Sequence, residues 1–144
     1  MGNFRYGIFQ KRSKDHARGW LGYCAYAGID KKFPKGGLFA SEAGNDANFD
    51  SSTSRTLGES LAAFKNIKDG SYNLTMEMTR SGAAIATKTS LAPEADPGSP
   101  VEQYSVTDST PSTFTFDAFG FSTHQVLSAD SIQFSNVSLR QLTK

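Results

Sequence analysis

Hydrophobic and polar residues alternate along much of this chain with a period of two, which is the signature of extended strands with one dry and one wet face. The clearest run follows the turn Asp69-Gly70. There Tyr72, Leu74, Met76 and Met78 interleave with Asn73, Thr75, Glu77 and Thr79. A turn around Arg80-Ser81-Gly82 then predicts an antiparallel return over 83–91, closing a hairpin. Near the start, Phe4, Tyr6 and Ile8 share one parity against Arg5, Gly7 and Phe9, predicting a first strand over 4–10. The stretch 19–29 is apolar on both parities and reads as a central strand. Shorter strands are expected at 38–41 and from Tyr104 and Val106 onward. The segment 57–67 fits a short strand or a single helical turn equally well.

Two places break the alternation. Phe114 and Phe116 have one parity and Phe119 and Phe121 the other, so a bulge near Asp117-Ala118 would let all four rings face one core. Ile132 and Phe134 are likewise out of step with Val137 and Leu139, and a second bulge at Ser135-Asn136 is expected in a last strand. Polar turn-rich sequence separates these elements, and Pro93, Pro97 and Pro100 enforce a loop. About eight short strands with polar turns make an all-β chain, a two-sheet antiparallel β-sandwich or a barrel.

Composition agrees with that reading. The 144 residues fit one domain, 1–144, and include 11 Phe and 5 Tyr, residues suited to a pleated, half-buried surface. Fifteen basic residues against fourteen acidic ones give a net charge of +1. The basic run Lys11, Arg12, Lys14, His16, Arg18 is broken by Asp15 and reads as a solvated loop, so nucleic acid is not an expected partner. No apolar run reaches the ~18 residues of a membrane span. The first residues lack the apolar core of a signal peptide, which fits either a full-length cytoplasmic protein or a piece of a larger one, and the second is the expectation. The single cysteine, Cys24, excludes an intrachain disulfide and reads as a small buried hydrophobe.

Several stretches together resemble the concanavalin A-like lectin/glucanase superfamily: Phe4-Arg5-Tyr6-Gly7-Ile8-Phe9, Gly22-Tyr23, and the hairpin from Asp69 to Gly82. The closing pair, Phe116 to Phe121 and Asp130 to Val137, is similar to the last strands of laminin-G-like domains of bacterial surface and secreted proteins. The resemblance implies a jelly-roll sandwich, an extracellular or cell-surface location, and carbohydrate recognition or a purely architectural role. Against that family the chain is either a compact variant or one whose opening strands are missing or supplied by a partner chain, and an exposed edge strand would then invite self-association.

Three kinds of constellation could carry chemistry. The paired catalytic carboxylates of glycosidases have no counterpart, because Glu42, Glu59, Glu77, Glu94 and Glu102 are isolated in sequence; catalysis is not expected. The loop Asp46-Ala47-Asn48-Phe49-Asp50 repeats oxygen ligands as the first half of a calcium loop does, making Asp46, Asn48 and Asp50 a candidate structural calcium site, although Ser51 and Leu57 stand where such a loop needs Gly and Glu. Sugar binding uses aromatic platforms ordered by a few polar groups, and the candidate contacts are Arg5, Trp20, Tyr23, Tyr26 and Arg80. The expected function is a non-catalytic carbohydrate-binding or adhesion module with a polysaccharide or glycan partner. The alternatives are a ligand-free structural or assembly domain, and a polysaccharide-cleaving glycosidase or lyase.

Overall fold

A computed structural model describes residues 3–12, 20–28, 37–41, 55–59, 67–124 and 131–141. Those residues form eight strands in chain order: β1 (Asn3–Gln10), β2 (Leu21–Gly28), β3 (Gly37–Ser41), β4 (Arg55–Glu59), β5 (Tyr72–Ser81), β6 (Ala84–Pro93), β7 (Glu102–Asp108) and β8 (Ala118–His124). They pair into two sheets, one of order β4-β3-β2-β1-β8 and one of order β5-β6-β7. Every pairing is antiparallel. The protein is therefore all-β, with two antiparallel sheets in an arrangement consistent with a small sandwich.

The alternation predicted for the hairpin sets its register. Leu74, Met76 and Met78 of β5 stand opposite Leu91, Thr89 and Thr87 of β6, and the β5 parity alternates between half-buried and exposed. Its loop is Gly82-Ala83, with Gly82 at φ 61° and no positive φ at Ala83. That is the pattern of a type II′ turn, whose twist matches the strands it joins. The ambiguous segment resolves at its start as strand β4; residues 60–66 lie outside the described set.

The core lies between the sheets. Phe4, Tyr6, Tyr23, Ala25, Leu38 and Ala40 of the five-stranded sheet meet Ile85 of the other, with Leu57, Leu74, Met76, Met78, Val106, Phe116 and Phe121 packed around them. The opposite parity of β1 and β2 is also dry, as an apolar central pair requires: Phe9 and Cys24 are buried. Phe9 lies across the backbone of Gly7 and Gly22, where an added Cβ has no room. At Gly22, with φ 152°, it would collide with the Ile8 carbonyl oxygen and come within 2.8 Å of the Phe9 Cα.

Two expectations are corrected. Of the four phenylalanines predicted to share one core, Phe116 and Phe121 pack against it, whereas Phe114 and Phe119 are exposed. Phe114 and Phe116 precede β8, and β8 is the edge of the wider sheet, so a shared parity does not enclose every ring. The last strand expected around Ile132, Phe134, Val137 and Leu139 is not formed: described residues 131–141 join no ladder. Asn136 takes φ 53°, a left-handed conformation that asparagine tolerates, and it falls where the sequence pattern changes phase. Phe134 nevertheless stacks on Phe121 at 4.4 Å and on Phe4 at 5.7 Å between ring centroids.

Gly22→Ala is expected to destabilise the fold by roughly 2–4 kcal/mol through a backbone collision. Gly58→Ala, whose added methyl meets only the Val106 Cβ at 4.0 Å, should stay within about 0.5 kcal/mol of wild type. Urea unfolding of both variants provides the comparison.

Candidate functional site

The alternation Glu102-x-Tyr104-x-Val106-x-Asp108 puts both carboxylates of β7 on its core side, where Glu102, Tyr104 and Asp108 are buried. Asp108 ends the strand. Across from it, Tyr23 of β2, Ala40 of β3 and Arg55 of β4 lie on one row of the other sheet. Because Ala40 is small, its two long neighbours can both lean toward β7. The Tyr23 hydroxyl donates to Asp108 Oδ2 at 2.8 Å, and Arg55 Nη2 donates to its Oδ1 at 3.0 Å and its Oδ2 at 2.9 Å. The Thr110 amide adds a bond at 2.9 Å to Oδ1, a local turn typical of aspartate.

Burial alone would raise the Asp108 pKa. The hydrogen bonds from Arg55, Thr110 and Tyr23 overcome that effect and hold it below 3.8. Tyr23 is pushed the other way, first by burial and then by its bond to the carboxylate. This clamp joins the sheets at the end where β1 finishes and β8 begins. The crossing 109–117 is anchored beside it: Thr113 donates to Gln10 Oε1 at 2.8 Å, and the Lys11 amide donates to Asp117 Oδ1 at 2.8 Å.

The candidate sugar contacts separate into three groups. Tyr23 is only 2 % exposed and belongs to the clamp. Arg5 and Tyr26 are direct cross-strand partners on the outer side of β1 and β2, with Arg5 6 % exposed and Tyr26 half-buried. Trp20 and Arg80 each take part in a cation–ring pair. Lys11 Nζ lies 5.8 Å from the Trp20 ring centroid, and the Arg80 guanidinium lies 4.2 Å from that of Phe114. Arg80 also donates to the Gly82 carbonyl at 3.1 Å. Asp46, Asn48 and Asp50 lie outside the described residues. Among the described residues, no three His, Cys, Asp or Glu side chains gather as a metal site.

Three further features bear on chemistry. Burial pushes the Cys24 thiol up to about 12, opposed only by nearby Arg5, so it stays protonated. Glu77 is exposed on β5 directly opposite Lys88. Glu102 is 5 % exposed, and burial raises its carboxyl to about 8 despite the neighbouring Tyr104 hydroxyl. The two groups do not close to a hydrogen bond. Residue-by-residue reading missed Arg55, Asp108 and Glu102 as placed polar groups. The available signal was their parity with Tyr104 and Val106, which sends two acidic side chains inward.

Comparison with protein-family models, curated proteins and solved structures returned no match. No helix of the described residues is long and apolar enough to cross a membrane.

Asp108→Ala would leave Arg55 and Tyr23 facing a void and is expected to cost about 3–5 kcal/mol of stability at neutral pH. A depressed carboxylate pKa contributes stability above the unfolded value of 3.8, and that contribution disappears as pH falls through the lower folded value. Urea unfolding from pH 6 down to pH 2 should therefore show an acid-side loss in wild type that is smaller in Asp108→Ala. Cys24 should resist a thiol reagent in the native protein at pH 8 and react once urea unfolds it.

Proposed function

We propose that this chain is a non-catalytic carbohydrate-binding module with a concanavalin A-like sandwich, acting outside the cell or at its surface, and that its ligand is an acidic polysaccharide. The observation that carries this reading is that two exposed cations each lie over an aromatic ring, Lys11 over Trp20 beside Phe9 on the outer side of β1 and β2, and Arg80 over Phe114 at the hairpin end of β5. Aromatic faces with a few ordered polar groups suit a pyranose ring, and exposed cations beside them favour carboxylated or sulfated sugars. The pairing of β1 with β8 and the stacking of two antiparallel sheets support the fold assignment.

The non-catalytic part of the reading rests on where the acids lie. Asp108 is held by three donors, Glu102 is enclosed, and Glu77 faces Lys88, so these acids do not flank a common cleft as glycosidic cleavage requires.

A second reading, assembly, has its own support. Ile132, Phe134, Val137 and Leu139 are all exposed, Leu139 at 65 %, and they follow an edge strand. Contiguous exposed apolar side chains commonly mark contact surfaces.

Affinity electrophoresis through gels containing alginate, pectate, carrageenan or neutral glucans is the test. Retardation by the acidic polymers is expected, weakened roughly tenfold by Trp20→Ala or Arg80→Ala, equivalent to about 1.4 kcal/mol. Unchanged mobility in every gel would reject the glycan reading. A concentration-dependent dimer by light scattering, lost in Leu139→Ser, would favour assembly instead.

A further inference from the structure

The fold encloses two carboxylates and treats them differently. Asp108 receives a guanidinium, a phenol and an amide. Glu102, near the other end of the same strand, receives none: its Oε1 and Oε2 are buried without a hydrogen-bond partner among the described residues. The same is true of the hydroxyls of Tyr6, Thr89 and Tyr104.

These groups converge from three strands. Tyr104 shares the core parity of β7 with Glu102, Thr89 of β6 stands directly opposite Tyr104, and Tyr6 of β1 comes from the facing sheet. The electrostatic effects of Glu102 on both tyrosines and of Thr89 on Tyr6 agree with that placement. Buried polar atoms left without partners cost about 1–3 kcal/mol each. Such a group of them in a native core calls for a bound water or ion.

We propose that Glu102, with the hydroxyls of Tyr6, Thr89 and Tyr104, forms an internal site for a monovalent alkali cation, taken up in exchange for the carboxyl proton. The donor set is all oxygen, which selects hard cations. It carries one negative charge, so a monovalent ion neutralises it, whereas a divalent ion would leave a buried net charge at a large desolvation cost. Among the described residues, no cationic side chain pairs with Glu102. Arg5 projects from the other face of the strand that carries Tyr6, and Arg55 serves Asp108. In the exchange the carboxyl O–H bond breaks, the proton passes to solvent and the cation takes its position, so the net charge inside is unchanged.

The exchange makes cation binding depend on pH. Without metal, the raised carboxyl pKa of about 8, against 4.5 unexposed to burial, gives a contribution that is complete below 4.5 and is lost as pH rises through 8. The other titratable groups acting on the cluster are Tyr6 and Tyr104, both held neutral by burial, with Tyr26 and Cys24 acting from β2.

Thermal unfolding at pH 9 and pH 5, in sodium, potassium, calcium or choline chloride at equal ionic strength, tests the site. At pH 9, sodium or potassium should raise Tm by roughly 3–6 °C over choline. At pH 5 the difference should vanish, because the proton holds the carboxyl. Glu102→Gln should abolish the cation effect, and Tyr104→Phe should at least halve it. Equal Tm in choline and both alkali salts at pH 9, stabilisation by calcium alone, or a full effect retained in Glu102→Gln would each overturn the proposal. The wild-type salt comparison stands even if a variant fails to fold.

Discussion

The two sheets are held in register by a buried carboxylate that cannot be left bare. Apolar burial drives the layers together without direction, and many offsets of Phe4, Leu38 and Ile85 would bury similar area. A carboxylate that stays ionised between the layers, as Asp108 does, is different, because it tolerates only positions where donors reach both of its oxygens. Asp108 finds those donors on Tyr23 and Arg55, which share a row across the small Ala40. Fixing that corner also fixes the chain beyond it. The 109–117 crossing leaves Asp108 through the Thr110 amide bond and reaches β8 through contacts to Gln10 and Lys11.

A five-stranded sheet facing a three-stranded one has consequences at the margin. The narrow sheet cannot cover the whole core side of the wide one, so aromatic rings near β8 are left for other cover. Phe134 provides some of it by stacking on Phe4 and Phe121. Phe119 and the apolar side chains around Phe134 remain at the surface. The same geometry leaves Leu74, Met76 and Met78 only half-buried on a strand whose alternation is the most regular in the chain. Interior and rim thus carry separate chemistry: two acids and several hydroxyls are enclosed, while Lys11 and Arg80 each lie over an aromatic ring nearer the surface.

Much of the strand framework was legible in the residues. The 69–82 hairpin, the strand over 4–10 and the doubly apolar strand after Trp20 all follow from periodicity, because a side chain's face in a strand depends only on its parity. The candidate site was less legible. Tyr23 and Tyr26 look alike in sequence, yet the first is tied to Asp108 in the core and the second stands beside Arg5 on the outer face. The bulge expected at 135–136 is not formed, because no strand pairs there; Asn136 instead turns left-handed, and an alternating pattern does not by itself supply a neighbouring strand.

The amino-acid order determined, through local alternation and turn chemistry, which segments are extended and which parity is apolar. It also determined that a single cysteine leaves no intrachain disulfide. Tertiary structure alone decided that Arg55 and Tyr23 meet Asp108, that Glu102 is enclosed among hydroxyls, and that Arg80 lies over Phe114. Those relations join residues far apart in the chain, and they depend on sheet order and layer offset, which no local pattern encodes.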